Sequence, residues 1–215
     1  QLVKERREQP FYTMAELKKR TLIGQEQMVI LAYAGALKSL SGNRYQAVWS
    51  SILPNNHIFL DEAMPNQEAL PVLRRPAESD DMVIDYATSG FTLGSHPVHF
   101  IRVKENFRSH VLANSLKKMK QGSVVNVVGL VISRQRPQTA TGVVFVTIED
   151  ETGFINLIIW PNLIRSFKQV MLSARILGVK GKVQKEGIVV HIIVEALFDH
   201  SNLLPNLDIP SRDFR

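Results

Sequence analysis

Cysteine is absent from the 215-residue sequence, which excludes a disulfide framework and zinc sites with thiolate ligands. No stretch approaches the roughly 18 apolar residues that a membrane-spanning helix needs, and the N-terminus lacks the apolar core of a signal peptide. These absences predict a soluble, cytoplasmic protein without membrane contacts. Hydrophobic residues make up 45% of the chain, enough to bury a core. The sequence begins without Met and in a helical pattern, so we expect a fragment of a longer chain.

Charge is distributed unevenly along the sequence. Residues 1–60 contain 8 Lys and Arg against 4 acids, residues 61–100 contain 2 against 7, and residues 101–121 contain 6 against 1. Basic segments of this kind suit a polyanion such as nucleic acid, because neutralised phosphates release counterions. The same side chains also solvate ordinary helix faces, so charge alone does not decide between these two roles.

The region 124–200 contains five short β-rich runs separated by turn residues. The runs cover residues 124–132, 142–148, 154–160, 174–183 and 188–198. A segment with helical spacing, 162–173, lies between the third and fourth runs, and a tight turn at 185–187 joins the last two. Five strands in this order, with one helix before the fourth, predict an OB-fold barrel. In such barrels the strand 2–3 face and the loops bind oligonucleotides or sugars.

Alternating side chains divide the predicted strands into a core face and a solvent face. Polar residues mark the solvent face of the second and third strands, and this face also carries Phe145, Phe154 and Trp160. Aromatic residues in such positions stack on unpaired bases, each contributing about 1–3 kcal/mol. The alternative is that they pack under the helix or against residues 81–121. The acidic run 149–151 opposes phosphate binding, and we expect it to cap a turn.

Basic residues surround the predicted solvent face. They occur in the first loop, on the fourth strand and in the last hairpin, where they would contact backbone phosphates. These candidate DNA contacts are Arg134, Arg136, Lys180, Lys182 and Lys185.

The first 60 residues predict short helices. Thr13 and Glu16 form a capping box ahead of a first helix, which Gly24 ends. A second helix begins at residue 25, and a third covers 44–52.

The small-residue hairpin 34–37 makes this region resemble a helix-hairpin-helix unit, in which backbone N–H groups hold a phosphate oxygen. Gly35 would permit the close approach, with Arg20 and Arg44 as candidate pairing charges. The alternative is a small helical bundle in which Gly35 only ends a helix.

Residues 61–121 predict an acidic linker followed by a basic helical spacer. Within the proline-rich part, residues 67–73 faintly resemble peptides that dock on bacterial sliding clamps, although the terminal aromatic is missing. His96 and His99 have no cysteine and no suitably spaced carboxylate beside them, so we predict no metal site here. His96, which precedes Pro97, is expected to be a turn residue.

Several motifs, taken in order, closely resemble the C-terminal portion of the bacterial C-family DNA polymerases, in particular the error-prone paralogue of the polymerase III alpha subunit. They lie at residues 31–37, 85–97, 129–137, 142–153, 159–161 and 181–184. The resemblance implies template-directed nucleotidyl transfer, in replication and repair, by magnesium-bound aspartates of a palm domain. Asp80-Asp81 and the run 149–151 do not match that catalytic motif. We therefore expect no cofactor and no polymerase activity in this chain alone.

The resulting interpretation is an α+β chain of four parts. They are a helix-hairpin-helix-like helical region at 1–60, the linker and spacer at 61–121, an OB-fold at 122–200, and a tail at 201–215. The resemblance implies that the chain grips single-stranded template and primer-template duplex DNA beside a catalytic core during synthesis across damage, with a sliding clamp or accessory subunits as further candidate partners. The alternatives are a protein-interaction module with little DNA contact and a free-standing anticodon- or single-strand-binding protein.

Overall fold

The computed structural model describes residues 1–52, 73–104, 107–137, 142–204 and 212–214. The chain divides into two units, Gln1–Phe91 (unit 1) and Thr92–Arg215 (unit 2). The predicted spacer is therefore split between the two units at about residue 91. The clamp-like segment, apart from Leu73, and most of the proline-rich linker lie outside the described residues. Among the helices described, none is long and apolar enough to cross a lipid bilayer.

Unit 1 is helical, as the sequence predicts. Its helices are α1 (Leu2–Glu8), α2 (Met14–Thr21), α3 (Gln25–Tyr33), α4 (Lys38–Ser41), α5 (Arg44–Ile52) and α6 (Glu78–Ser89). One half of the predicted capping box is present, because the Thr13 hydroxyl accepts a hydrogen bond from the N–H of Glu16 at 3.1 Å. The Glu16 carboxylate accepts one from the N–H of Tyr12, the residue before the N-cap, at 3.0 Å. The apolar faces of these helices enclose a small core of Leu17, Met28, Ala32, Leu37 and Ala47.

An ion-pair network attaches α6 to the rest of unit 1. Arg44, only 1% exposed, pairs with Asp81 at 3.2 Å and contacts the carboxylate of Asp85. Lys38 Nζ lies 2.8 Å from the other carboxylate oxygen of Asp81. A buried guanidinium needs such partners, because an unpaired buried charge is strongly destabilising.

Unit 2 begins with helices and continues as a β-barrel. The helices before the barrel are α7 (Pro97–Lys104) and α8 (Ala113–Leu116), with a single 3₁₀ turn at Phe107–Ser109 between them. The strands and the helices between them are β1 (Val124–Gln135), β2 (Val144–Asp150), β3 (Gly153–Ile159), α9 (Pro161–Ser166), α10 (Lys168–Ser173), β4 (Ile176–Glu186) and β5 (Val189–Asp199). A second 3₁₀ turn, Ser201–Leu203, and a short strand, β6 (Arg212–Phe214), follow.

Two local predictions need correction. The predicted single helix at 162–173 is two short helices, because Phe167 leaves the helical region with φ −118° and ψ 25°. The last hairpin turns one residue later than expected. Glu186 still pairs with Val189, so the turn consists of Gly187 and Ile188, and Gly187 has φ +60°, a left-handed conformation that favours glycine.

The five long strands form a closed barrel. The strand order is β2-β3-β5-β4-β1, and β1 also pairs with β2. The first half of β1 pairs with β4 from Val124 to Leu130, and its second half pairs with β2 from Leu130 to Gln135. A register shift between Val131 and Ser133 lets β1 bend from one partner to the other. The predicted five-stranded barrel, with its helical insert before the fourth strand, is confirmed.

The predicted alternation on β2 and β3 is also confirmed. The inward set is at most 5% exposed and consists of Val144, Val146, Ile148, Ile155, Leu157 and Ile159. Each of these side chains contributes about 1.5–3 kcal/mol when it is fully buried. The outward set, which begins with Phe145 on β2 and Phe154 on β3, is half-buried or exposed.

Two glycines allow the strands to approach closely. A Cβ added to Gly129 on β1 would lie 2.9 Å from the Cβ of Ile148 on β2, and a Cβ added to Gly181 on β4 would lie 2.6 Å from Cγ2 of Ile192 on β5. Both distances are shorter than real Cβ contacts allow. Barrel closure therefore depends on the missing side chains at these positions.

Replacing Gly181 by alanine is expected to lower the free energy of unfolding of unit 2 by about 1–3 kcal/mol, because it overpacks the β4–β5 contact. Chemical denaturation followed by circular dichroism measures this change. Gly94→Ala is the matched control, since its Cβ would come no closer than 3.4 Å to the Thr92 hydroxyl. Equal stability of the two variants would contradict this account of closure.

Candidate nucleic-acid interface

The outer side of β2 and β3 forms one continuous surface, because paired residues of antiparallel strands project to the same face. The cross-strand pairs on this face are Phe145–Ile158, Thr147–Asn156 and Glu149–Phe154. β5 runs parallel beside β3 and extends the surface with His191 and Ile193. We call this surface the outer face.

The three predicted stacking residues all lie on or at the end of the outer face. Phe154 is 63% exposed and Trp160 is 53% exposed, whereas Phe145 is half-buried. Trp160 immediately precedes α9, and its carbonyl accepts a hydrogen bond from the N–H of Leu163 at 3.0 Å. The start of the helix therefore fixes the Trp160 backbone while its side chain stays accessible.

Arg136 lies at the end of the outer face where Trp160 is found. A Cβ added to Gly142 would lie 3.8 Å from Arg136 Nη2 and 3.4 Å from Cγ of Pro161, the residue that follows Trp160. Gly142 therefore lies close to both Arg136 and the start of α9. Arg136 is exposed, so a predicted phosphate contact lies close to a predicted stacking platform.

Arg134 does not lie on the outer face. It pairs with the core residue Val146, and its Nε donates a hydrogen bond to the Met171 carbonyl at 2.6 Å. Its Nη2 donates to the Ala174 carbonyl, so the guanidinium caps the end of α10. We expected a loop residue contacting phosphate. The strand instead continues through Gln135, and its two-residue period turns Arg134 toward the helix.

The predicted lysines have different surroundings. Lys180 and Lys182 are exposed on β4, and Lys182 Nζ lies 3.0 Å from the Glu195 carboxylate. Lys185, in the β4–β5 hairpin, donates from Nζ to the Lys117 carbonyl at 2.9 Å. Lys185 thus links the hairpin to the segment that follows α8.

That segment contributes basic residues that we did not select from the sequence. Lys117, Lys118 and Lys120 are exposed, and Gln121 accepts a hydrogen bond from the N–H of Lys185 at 2.7 Å. These lysines therefore lie beside the β4–β5 hairpin. The charge excess of residues 101–121 was the only sequence signal for them, since the strands with which they associate are distant in the sequence.

The acidic turn between β2 and β3 is structural, as predicted. Asp150 is 2% exposed. One of its carboxylate oxygens accepts hydrogen bonds from the N–H groups of Thr152 at 2.7 Å and Gly153 at 3.1 Å. The other accepts from the N–H of Ala113 at 2.8 Å, which ties the start of α8 to the barrel.

Arg102 of α7 neutralises much of this acidic turn. Its Nε lies 2.6 Å from the Glu151 carboxylate, and its Nη2 lies 3.8 Å from that of Asp150. Glu149, by contrast, lies on the outer face opposite Phe154. Burial raises the pKa of the Glu149 carboxyl, and the negative charge of Asp150 raises it further.

His96 has the predicted turn role. Its Nδ1 accepts a hydrogen bond from the N–H of Val98 at 3.2 Å. Burial lowers the pKa of this imidazole, while Glu151 and Asp150 act in the opposite direction. Within the described ranges of the chain, no group of three His, Asp or Glu side chains is placed to hold a metal ion.

Gly35 ends a helix in unit 1. It has φ +74°, and its N–H donates to the Ala32 carbonyl at 3.0 Å. A Cβ there would lie 2.9 Å from Arg44 Nη2 and 3.1 Å from Lys38 Cε. The glycine is therefore covered by side chains and its N–H is already used, as in the helical-bundle alternative.

Arg20 and Arg44 both serve unit 1 internally. Arg20 pairs with Glu16 at 2.9 Å, donates to the Gln9 carbonyl at 2.9 Å, and lies 4.5 Å above the centre of the Phe11 ring. It therefore joins α1 to α2. Arg44 is buried against α6, so its position does not support the predicted pairing with phosphate.

The barrel corresponds to a known class of domain. Residues 115–199 match the family model described as an OB-fold nucleic acid binding domain. Unit 2 therefore contains an OB-fold domain.

The whole chain has more specific relatives. It is 39% identical over 99% of its length to the error-prone DNA polymerase of Alkalilimnicola ehrlichii, of which it covers 21%. It is also 39% identical over 98% of its length to the error-prone DNA polymerase of Methylococcus capsulatus, of which it covers 20%. The resemblance to error-prone DNA polymerases is confirmed, and the chain spans about a fifth of the length of these relatives.

Among solved structures, the chain resembles the asparaginyl-tRNA synthetase of Pyrococcus horikoshii. The likeness has a TM-score of 0.36 and 22% sequence identity, and it covers 41% of this chain and 22% of that protein.

Arg134 and Arg136 provide a matched pair for a stability test. Arg134→Ala is expected to lower the free energy of unfolding by about 1–3 kcal/mol, because two carbonyls of α10 lose their charged donor. Arg136→Ala should change it by less than about 0.5 kcal/mol, as expected for an exposed side chain. Denaturant titration of both variants measures the difference, and equal losses would contradict the assignment.

Glu149 predicts a pH dependence of stability. Because its pKa is higher in the folded chain than the usual 4.5, folding favours the protonated carboxyl, and ionisation weakens the folded state. The contribution of Glu149 is therefore fully present below pH 4.5 and is lost as the pH rises through the folded-state pKa. Glu149→Gln should become relatively more stable than the natural chain across this window. Unfolding measured from pH 4 to 7 tests this, with the exposed Glu186→Gln as control; a constant difference between Glu149→Gln and the natural chain would refute it.

Proposed function

We propose that unit 2 binds single-stranded DNA along β3 of the outer face. The observation that carries this proposal is the order of side chains along one strand: Phe154 at the start of β3 and Trp160 just after its end are both exposed, and basic residues lie near both ends. Such a combination of stacking platforms and positive charge is typical of single-strand-binding OB-folds.

The dimensions of the outer face suit a short stretch of nucleotides. The path from Phe154 to Trp160 covers six residue steps, which is about 20 Å at roughly 3.3 Å per residue. OB-folds bind about 4–16 nucleotides each. A path of this length accommodates a few stacked nucleotides, with the strand continuing past both ends.

Charge supports the same path. Arg136 lies near the Trp160 end. At the Phe154 end, Asn156 of β3 pairs with His191 of β5. Two residues earlier on both parallel strands, Phe154 would lie beside Val189, so the β4–β5 hairpin is close to Phe154. Lys185 and the lysines that follow α8 lie at this hairpin. Glu149 is the opposing charge, and its raised pKa reduces the range of pH over which it repels phosphate.

In the parent protein, we propose that this chain grips template and primer-template DNA beside a catalytic core during error-prone synthesis across damaged template. The relatives named error-prone DNA polymerase support this context. Magnesium-dependent nucleotidyl transfer would then occur in another part of the parent protein, and this chain alone would be inactive. A sliding clamp or accessory polymerase subunits are further proposed partners.

A second candidate function is the docking of accessory proteins on unit 1. One observation favours it: a surface cavity of about 290 Å³ is bordered by partly exposed aromatic side chains. The aromatic residues are Tyr33, Tyr45 and Trp49. Binding through this cavity would bury apolar surface and would depend only weakly on salt.

A titration of the 215-residue chain with labelled single-stranded oligonucleotides at two salt concentrations distinguishes the two candidate functions. Single-strand binding predicts that log affinity falls with log salt by about 0.7 per phosphate contacted, and that Arg136→Ala reduces this slope by about 0.7. Phe154→Ala should weaken binding by about 1–3 kcal/mol.

Phe198→Ala is the matched control, since Phe198 is 50% exposed but lies on β5 opposite Gly178, away from β3. Absent or salt-independent binding, or equal effects of both phenylalanine variants, would overturn the proposal.

A further inference from the structure

A row of polar side chains crosses the outer face of the barrel, with one residue from each of the five strands. Backbone register aligns its members across the sheet. The members of this polar row are Ser133, Thr147, Asn156, His191 and Gln184. The row contains no Lys or Arg, so it does not suit phosphate. Hydroxyl, amide and imidazole groups suit the neutral donors and acceptors of a base edge.

The polar row lies between apolar positions. Along β3, Asn156 follows Phe154 by two residues and precedes Ile158 by two, and Trp160 lies beyond Ile158. Two residues of strand span about 7 Å. A base stacked on Phe154 therefore has its edge within reach of Asn156, which is the central member of the row.

The hydrogen bonding of the row is incomplete. The Thr147 hydroxyl donates to the Asn156 side-chain oxygen at 3.4 Å, which directs the two N–H groups of the amide elsewhere. The Nδ1 atom of His191, beside Asn156, is enclosed and lacks a hydrogen-bond partner within the residues described. Enclosed polar atoms are usually paired, so among the described residues His191 is an unsatisfied member of the row.

We propose that Thr147 and Asn156 contact the edge of one unpaired nucleobase, which gives the outer face a base preference. This inference rests on the proposed single-strand binding along β3 and names what the middle of that path recognises. Stacking alone tolerates every base, whereas hydrogen bonds to a base edge distinguish donors from acceptors.

The test measures the affinity of the full 215-residue chain for dA, dC and dT oligonucleotides of equal length at one salt concentration. The natural chain should show about a 5-fold difference between its best and worst ligand. Asn156→Ala should reduce this ratio to below about 2-fold. Phe154→Ala should weaken all three ligands and preserve the ratio, because it removes stacking and leaves the polar row intact.

Thr147→Val and Thr147→Ser separate hydrogen bonding from shape at the same position. The valine variant should lose the base preference and the serine variant should retain it, with folding of each variant checked by circular dichroism. Equal affinity of the natural chain for all three oligonucleotides would overturn the base-edge contact while leaving single-strand binding in place. A preserved ratio in Asn156→Ala and Thr147→Val would also overturn it. Absence of binding to any oligonucleotide would overturn both proposals.

Discussion

β1 pairs with β4 over its first half and with β2 over its second half, and this double pairing closes the barrel. The bend between the two halves requires the register shift after Val131, and the close approach of neighbouring strands requires glycine at 129 and 181. Once the barrel is closed, the alternation of each strand sends one set of side chains into a dense core and the other outward. The outer face is therefore a consequence of closure.

A second set of interactions determines what surrounds that face. Asp150 is buried in the β2–β3 turn and receives the N–H of Ala113, while Arg102 pairs with Glu151. These contacts hold the segment before β1 against the barrel and neutralise most of the acidic turn. The same segment brings its lysines to the β4–β5 hairpin. The acidic run 149–151, which in the sequence opposes nucleic-acid binding, thus holds the segment that carries Lys117, Lys118 and Lys120 against the barrel.

Local patterns predicted much of the fold because the forces behind them are local. The N-cap at Thr13, the five β-rich runs and the inward set on β2 and β3 depend on neighbouring residues or on a two-residue period. The two-residue period of the strand also predicted that the side chains of Phe154 and Trp160 are exposed. Arg134 and Arg44 were assigned to surfaces, yet their partners are carbonyls and carboxylates 37 to 41 positions away. No local pattern contains such information, which is also why the lysines after α8 were missed.

The central claim is that single-stranded DNA lies along β3, past Trp160. Trp49 and Trp160 are the two tryptophans of the chain, so a Trp49→Phe variant reports on Trp160 alone. Its fluorescence should be quenched as a single-stranded oligonucleotide is added, with the same midpoint as binding measured by anisotropy of the labelled oligonucleotide. Binding detected by anisotropy with no change in Trp160 fluorescence would contradict the account.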